Sequence, residues 1–196
     1  DPIEGIYYNP DEDDISKGYA MIMGPKDTPY QYGYYFFEFK FYEDYPYQPP
    51  HVIYRTNDGI IRYNPNFYKS GKVCLSILNT WPGERWSSCQ TLRSILITLQ
   101  ITMNSEPLRN EPGVNDDKHK ETIKIYNEII YYKNIDFVIL EYLKHPVIMA
   151  PILKTTCSDW IMFLGEISLS SLKKGSGLST VRWGRFLLTL PTSVGA

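Results

Sequence analysis

The chain has 196 residues, of which 43% are hydrophobic and 15% aromatic, so it can bury one core with an appendage but not two full domains. Its net charge of −2 gives no general reason to expect binding to nucleic acid or to a membrane, and no window reaches the apolar length that spans a bilayer. Three cysteines, at positions 74, 89 and 157, form no close-spaced pair, which argues against a disulfide framework or a zinc site and favours a reducing, cytoplasmic and/or nuclear location.

The start of the chain does not have the pattern of a helix. It contains Pro2, Gly5 and Pro10, followed by an acidic run at residues 11–14. Proline and glycine weaken a helix interior, and clustered like charges repel each other. We therefore expect no amphipathic helix before residue 19.

Three strands are predicted next, at residues 19–23, 34–41 and 51–55, because aromatic and β-branched side chains are enriched there. Proline cannot donate a hydrogen bond within a central strand. Three prolines therefore belong to the connection between the second and third strands: Pro46, Pro49 and Pro50. Consecutive strands with such connections predict an antiparallel meander.

A helix is predicted after the third strand, because apolar side chains recur at helical spacing and would form one buried face against the sheet. The residues of this face are Leu92, Ile95, Leu96, Leu99 and Met103. Either Ser87 or Ser88 could cap its N-terminus. A second helix is predicted from Asp116, with a break near Asn134, to Lys144.

The chain is predicted to divide into a core at residues 1–150 and a partly flexible C-terminal extension at residues 151–196. Pro146 stops the second helix, and a Lys-Lys-Gly-Ser-Gly run at residues 173–177 has the composition of a flexible link. We assign no ordered structure to the last thirty residues. The fold class is therefore α+β, with the functional residues in the core.

One segment carries the chemistry. An Asn-Pro-Asn turn, Asn64-Pro65-Asn66, ends eight residues before Cys74, and Cys74 lies just before an apolar run. Pro65 rigidifies the loop and biases Asn64 toward an extended conformation, so the side-chain amide of Asn66 can be held near the sulfur. A fixed amide donor beside a thiol suits acyl transfer.

This segment resembles the active-site signature of the ubiquitin-conjugating (E2) enzymes, in which His-Pro-Asn precedes Gly-Lys-Val-Cys-Leu. Asn64 stands where the family usually has histidine. Three further motifs match in order, and the resemblance extends from about residue 19 to 114: residues 24–33 (GPKDTPYQYG), residues 45–50 (YPYQPP) and Trp86-Ser87. The large, C-terminally extended members of the family are the most similar.

The resemblance implies an α+β UBC fold, an antiparallel β-meander packed against α-helices. The family normally opens with an N-terminal helix, and we expect that helix to be missing here. Cys74 would accept ubiquitin, or a ubiquitin-like modifier, from the activating enzyme (E1) as a thioester and pass it to a substrate lysine or a ligase (E3). ATP is used by the E1, so no cofactor or metal is expected on this chain, which we expect to be a monomer.

The resemblance also assigns roles to residues around Cys74. Asn66 is the expected donor to the oxyanion, or the residue that orders the adjacent loop. Tyr68 matches a position that flanks the incoming lysine, and Glu111, with Asn110, matches an acidic position that assists that lysine. Asn64 is expected to be structural. Ser76 stands where many members carry aspartate.

A second surface is implied for binding partners. Pro46 and Tyr47 match the exposed loop through which E2 enzymes contact E1 and E3. Ser87, Ser88 and Cys89 match the second contact loop, whose usual proline is Ser88 here.

Two other readings remain open. A non-catalytic E2 variant that binds ubiquitin or serves as a ligase scaffold fits the replacement at Ser76, but the retained Cys74 and Asn66 count against it. A papain-type cysteine hydrolase requires a partnered histidine, and the three histidines show no such spacing: His51, His119 and His145.

Overall fold

The computed structural model describes residues 3–114, 116–140, 178–183 and 186–191. The chain divides into two compact units, Asp1–Ile152 and Leu153–Ala196. Within the described residues, no helix combines the length and apolar character needed to cross a membrane.

The first unit contains a four-stranded antiparallel sheet in the order β1-β2-β3-β4. Its strands are β1 (Ile6–Pro10), β2 (Lys17–Met23), β3 (Tyr34–Lys40) and β4 (His51–Tyr54). The meander predicted from sequence is therefore confirmed, and β2, β3 and β4 lie within one or two residues of the predicted ranges.

The sequence analysis missed β1, which pairs with β2 from Ile6 opposite Ile22 to Pro10 opposite Gly18. This segment lies at the edge of the sheet, where proline is tolerated at a strand end. The flanking prolines and the acidic run made a strand look unfavourable in the sequence, but β1 forms because it pairs with β2.

Two helices follow, α1 (Leu92–Thr102) and α2 (Asp116–Lys133), and α2 continues into a π-helical turn, Asn134–Ile139. The break predicted near Asn134 is thus present as a change of helix type. The cap prediction was wrong, because Thr91 rather than Ser87 or Ser88 caps α1: its side chain accepts from the Ser94 amide in a capping box. Residues 141–177, including the predicted helix end and the proposed flexible link, lie outside the described residues.

The core forms between the sheet and α1. Ile95, Leu96 and Leu99 of α1 join the aromatic side chains of β3 in one buried cluster. Phe37 packs edge-on against Phe67, with ring centroids 5.3 Å apart, which connects the sheet to the segment that carries the Asn-Pro-Asn turn. The predicted packing of the first helix against the sheet is confirmed.

The second unit contains an antiparallel hairpin of β5 (Leu178–Trp183) and β6 (Phe186–Pro191), with Trp183 opposite Phe186. The sequence supported no assignment of ordered structure in the last thirty residues, and the structure places this hairpin there. A two-residue connection beginning with Gly184, between two runs rich in β-branched and apolar residues, is the hairpin signal that the sequence analysis overlooked.

Asn134 connects the π-helical turn to the sheet and to the loop before β3. Its Oδ1 accepts a hydrogen bond from the Tyr35 hydroxyl at 2.6 Å, and its Nδ2 donates to the Gln31 carbonyl at 2.9 Å. Asn134 is buried. Because buried polar groups are costly unless paired, these two bonds fix where α2 ends against the sheet.

We expect Asn134→Ala to lower the free energy of unfolding by about 2 kcal/mol, because it removes two hydrogen bonds from a buried site. Urea denaturation measures this. Asn127→Ala is the matched control, since Asn127 lies on the same helix and donates one exposed bond to the Ser105 carbonyl. Equal losses in the two variants would contradict the role given to Asn134.

Asp58 connects the loop after β4 to α2. Its Oδ1 accepts from the amides of Ile60 and Ile61 at 2.9 and 3.0 Å, and its Oδ2 lies 3.4 Å from the Lys133 ammonium. Burial alone would raise the pKa of Asp58, but the two amides and Lys133 outweigh it and hold the pKa below its usual value.

This lowered pKa makes Asp58 a source of acid sensitivity. Its stabilising effect is present above the ordinary aspartate pKa of about 3.9 and is lost as pH falls through the lower folded-state pKa. We expect Asp58→Asn to cost about 1 kcal/mol at neutral pH and to flatten the acid limb of the stability profile. Urea denaturation at a series of pH values tests this, with Asp136→Asn as the control because Asp136 is the exposed partner of the same lysine. A profile for Asp58→Asn parallel to that of the unaltered protein would contradict it.

Candidate active site

The Asn-Pro-Asn turn and Cys74 lie on the two arms of a short hairpin. The Cys74 amide donates to the Asn66 carbonyl at 2.9 Å, and the Tyr68 amide donates to the Lys72 carbonyl at 2.9 Å. Gly71 closes the loop with φ +87°, a conformation that other residues rarely adopt. The Tyr54 amide of β4 donates to the Gly71 carbonyl at 2.7 Å, so the hairpin is held against the sheet.

The side chains of this hairpin lie on two opposite faces, which the pairing of Phe67 with Val73 identifies. Phe67 lies opposite Val73, and both are buried in the core. Side chains alternate between faces along paired strands. The opposite face therefore carries the neighbours of that pair: Asn66, Tyr68, Lys72 and Cys74. The residues that the family resemblance selected, Asn66, Tyr68 and Cys74, thus share one face.

The Asn66 side chain contacts the backbone of the cysteine directly. Its Nδ2 donates to the Cys74 carbonyl at 2.7 Å. Asn66 is 6% exposed and Cys74 is 2% exposed. One amide hydrogen thus orders the hairpin beside the thiol, which is the loop-ordering role anticipated for Asn66. A side-chain amide has two hydrogens, so the bond to the Cys74 carbonyl uses only one of them.

A buried network of side chains supports the turn from below. Asn64 Oδ1 accepts from the Asn66 amide at 2.9 Å, while Asn64 Nδ2 donates to the Tyr30 hydroxyl and the Thr102 carbonyl, both at 2.9 Å. Burial raises the pKa of Tyr30 well above its usual value, so its hydroxyl keeps its proton and donates to the Tyr63 carbonyl at 2.7 Å. These are the contacts of a structural residue at position 64.

Asn110 belongs to the same network. Its Nδ2 donates to the Thr102 carbonyl at 3.0 Å, and its Oδ1 accepts from the Asn104 side chain at 3.0 Å. Asn110 ends a 3₁₀ turn, Pro107–Asn110, and its amide is directed toward Asn64. The structure therefore places Asn110 beneath the turn, where it positions the neighbouring Glu111.

Glu111 and Tyr68 both contact Arg62, a residue that was not selected from the sequence. The Arg62 guanidinium lies 3.9 Å from the Tyr68 ring centroid, and Arg62 Nη2 lies 3.5 Å from Glu111 Oε2. No sequence motif marks this arginine, because its partners are 6 and 49 positions away and only the folded chain brings them together.

Thr80, which was not selected from the sequence, bridges the residues on either side of Cys74. The Thr80 hydroxyl accepts from the Leu75 amide and donates to the Val73 carbonyl, both at 2.9 Å. Between Leu75 and Thr80 lies a 3₁₀ turn, Ser76–Leu78, in which Ile77 and Leu78 are buried. A threonine in a turn-rich loop has no distinctive sequence signal, so its bridging role depends on the fold.

The loop at residues 79–86 folds back onto Ser76. A Cβ added at Gly83 would lie 3.1 Å from the Ser76 Cβ, and Gly83 has φ +135°. Only glycine fits this close approach without displacing the loop. The Asn79 side chain accepts from the Trp86 amide at 3.0 Å, which closes the loop at its base. The position where many family members carry aspartate is thus covered by the loop.

The two expected partner-binding loops are adjacent. The Trp86 indole donates to the Pro46 carbonyl at 2.8 Å, and the Trp86 and Tyr45 rings lie 6.1 Å apart. Tyr47 is 79% exposed. The three residues of the second loop are also exposed: Ser87, Ser88 and Cys89. Trp86 therefore joins the loops into one surface.

No group of three or more histidine, cysteine, aspartate or glutamate side chains within the described ranges has the arrangement of a metal site. Cys74 and Cys89 are both free thiols.

Three relatives show where the chain is similar to known proteins. It is 44% identical over 145 residues to ubiquitin-conjugating enzyme E2 Z of Xenopus tropicalis, covering 74% of this chain and 46% of that protein. It is 42% identical over 145 residues to the Homo sapiens protein of the same name, covering 74% and 41%. It is 34% identical over 187 residues to probable ubiquitin-conjugating enzyme E2 R521 of Acanthamoeba polyphaga mimivirus, covering 82% and 13%.

The chain spans less than half the length of each of these relatives. A sequence model of the family described as ubiquitin-conjugating enzyme matches residues 1–137, which include the sheet, the Cys74 hairpin and both helices of the first unit. The chain therefore belongs to the ubiquitin-conjugating enzyme family, with a UBC domain similar to that of ubiquitin-conjugating enzyme E2 Z.

Proposed function

We propose that this chain is a catalytically active E2, which accepts ubiquitin or a ubiquitin-like modifier from an E1 on Cys74 and passes it to a substrate lysine or to an E3. The observation that carries this proposal is the hairpin that joins Asn66 to Cys74 by two hydrogen bonds in a member of the E2 family. Asn66 is thereby held against the Cys74 backbone before any substrate binds.

The proposed reaction has two transfers. In the first, the Cys74 thiolate attacks the carbonyl of the E1 thioester, a new C–S bond forms, and the E1 thiolate leaves. In the second, a neutral lysine amine attacks the Cys74 thioester, the C–N bond forms, the C–S bond breaks, and the proton that the amine loses ends on the Cys74 sulfur. Both pass through a tetrahedral oxyanion, for which the second hydrogen of the Asn66 amide is the proposed donor. ATP acts on the E1, so this chain requires no cofactor of its own.

The joined loops around Tyr47 and Ser87 supply the proposed surface for E1 and E3. An exposed aromatic side chain on a rigid loop is a typical anchor for a partner protein. The indole of Trp86 holds the Pro46 loop in place, so Tyr47 is presented without the cost of ordering its backbone on binding.

The alternative is a non-catalytic variant that only binds ubiquitin or a ligase. Two observations favour it: Cys74 is almost fully buried, and Ser76, which offers no carboxylate, lies under the loop at residues 79–86. Fold alone does not separate active from inactive members, so the distinction rests on the chemistry of Cys74.

The first test is thioester formation. When the protein is incubated with E1, ATP and ubiquitin, we expect an adduct that reducing agent removes, no adduct with Cys74→Ala, and a thiol-resistant adduct with Cys74→Ser. Gels run with and without reducing agent measure this. Cys157→Ala is the matched control, because this third cysteine lies outside the segments that match the E2 motifs. Loss of the adduct in Cys157→Ala, or its persistence in Cys74→Ala, would contradict the assignment.

The second test concerns Asn66. We expect Asn66→Ala to slow discharge of the Cys74 thioester to free lysine by about a hundredfold, the usual cost of losing one oxyanion donor. Single-turnover discharge measures the rate, and alkylation of Cys74 by iodoacetamide reports separately whether the hairpin has opened. The control is Asn57→Ala, which removes a side-chain bond to the Tyr54 carbonyl. A loss below about threefold with unchanged alkylation would remove Asn66 from the chemical step.

A further inference from the structure

Arg62 lies at the centre of a cluster beside the active-site hairpin, which we call the Arg62 cluster. Its guanidinium stacks on the Tyr68 ring at 3.9 Å, lies 3.5 Å from the Glu111 carboxylate and donates through Nη2 to the Pro65 carbonyl. Arg62 thus contacts three separate segments: the tip of the Asn-Pro-Asn turn, the hairpin and the loop that follows α1. A planar guanidinium with several donors can make such contacts at once, which a lysine ammonium cannot.

The backbone of Arg62 is also held in place. The Tyr126 hydroxyl on α2 donates to the Arg62 carbonyl at 2.7 Å. Burial raises the pKa of Tyr126 and Glu111 adds to that rise, whereas Arg62 opposes it, so the hydroxyl keeps the proton that it donates. Arg62 is therefore fixed at both ends, by α2 through its backbone and by the cluster through its side chain.

The cluster lies on the reacting side of the hairpin. Tyr68 pairs with Lys72, and Lys72 is two residues before Cys74 on the same face. Two residues along a strand span about 6.6 Å. The Lys72 ammonium also lies 6.0 Å from the Tyr68 ring centroid, so two cations lie near this one aromatic ring.

The geometry points to Arg62 as a positioning residue for the second transfer, in which the acceptor amine attacks the Cys74 thioester. Tyr68 and Glu111 are the residues expected to flank the incoming lysine, and Arg62 is what both of them contact. The inference rests on the proposed function. It adds that discharge to an amine depends on Arg62, whereas loading from the E1 does not.

The physical reason is the difference between the two incoming groups. The E1 thioester brings a neutral carbonyl to a thiolate, which needs neither Tyr68 nor Glu111. The amine must approach along one direction: the C–N bond forms, the C–S bond breaks, and the proton that the amine loses ends on the Cys74 sulfur. Without Arg62, the Tyr68 ring and the Glu111 carboxylate lose their shared contact, and small displacements of positioning groups cost large factors in rate.

The test compares loading with discharge in the same protein. We expect Arg62→Met to load with ubiquitin from E1 within about twofold of the unaltered protein, and its thioester to discharge to free lysine at least about tenfold more slowly. Varying the lysine concentration separates the maximal rate from the half-saturating concentration, and we expect the half-saturating concentration to rise. Arg62→Lys should recover part of the loss, because the charge opposite Glu111 returns while the stacking and the fork do not.

Two controls separate positioning from simple bracing. Arg55→Met removes an arginine that pairs with Glu38 at 2.5 Å on the sheet, and should leave both steps unchanged. Arg62→Met combined with Glu111→Gln should discharge no more slowly than the slower single variant, because the two residues act as one unit. Thermal denaturation of every variant shows whether it is folded.

Each outcome decides the inference. Slower discharge with normal loading supports it. Equal losses in loading and discharge, with a lowered melting temperature, would mean that Arg62 only braces the fold, and unchanged discharge would remove it from the reaction; either overturns the inference alone. If the unaltered protein fails to load, the proposed function fails, and this inference fails with it.

Discussion

The structure around the thiol depends on the requirement that buried polar atoms be paired. Asn64 is buried under the active-site turn, and its one carbonyl and one amide group must find partners there. They do so with the Asn66 backbone above, the Tyr30 hydroxyl to one side and the Thr102 carbonyl at the end of α1 below. The turn therefore cannot shift without breaking bonds to both the sheet loop and the helix. The position of Asn66 follows from this network, and that of Cys74 follows from Asn66.

Strands β2, β3 and β4, both helices and the cysteine motif could be predicted because each has a local cause. Aromatic enrichment marks β3, helical spacing marks α1, and the Asn-Pro-Asn turn precedes Cys74 at a fixed distance. β1 was not predicted, although Ile6, Tyr7 and Tyr8 favour strands, because Gly5, Pro10 and the acidic run that follows interrupt the strand pattern. Thr91 was not selected as the N-cap because Ser87 and Ser88 are equally suitable cap residues by type. Only the residue at which the helix begins in the folded chain distinguishes the three.

The contacts that give the site its shape are the ones the sequence could not supply. Arg62 meets Tyr68 and Glu111, Thr80 closes the chain after the cysteine, and Gly83 lies against Ser76. Each pair depends on how separate segments pack, which neither periodicity nor a motif records. The contact with Ser76 also restricts position 83: any side chain there would approach the Ser76 Cβ and would need a strained backbone.

The asparagine at position 64 has a consequence for acidity. An imidazole at that place would titrate near neutral pH, and gaining a proton would turn its acceptor nitrogen into a donor facing the Asn66 amide. A carboxamide gains no proton in that range, and its neighbour Tyr30 keeps its own because burial raises its pKa. The bonds that Asn64 makes to the Asn66 amide and to Tyr30 therefore involve no group that gains a proton near neutral pH, so mild acidification leaves these two contacts unchanged.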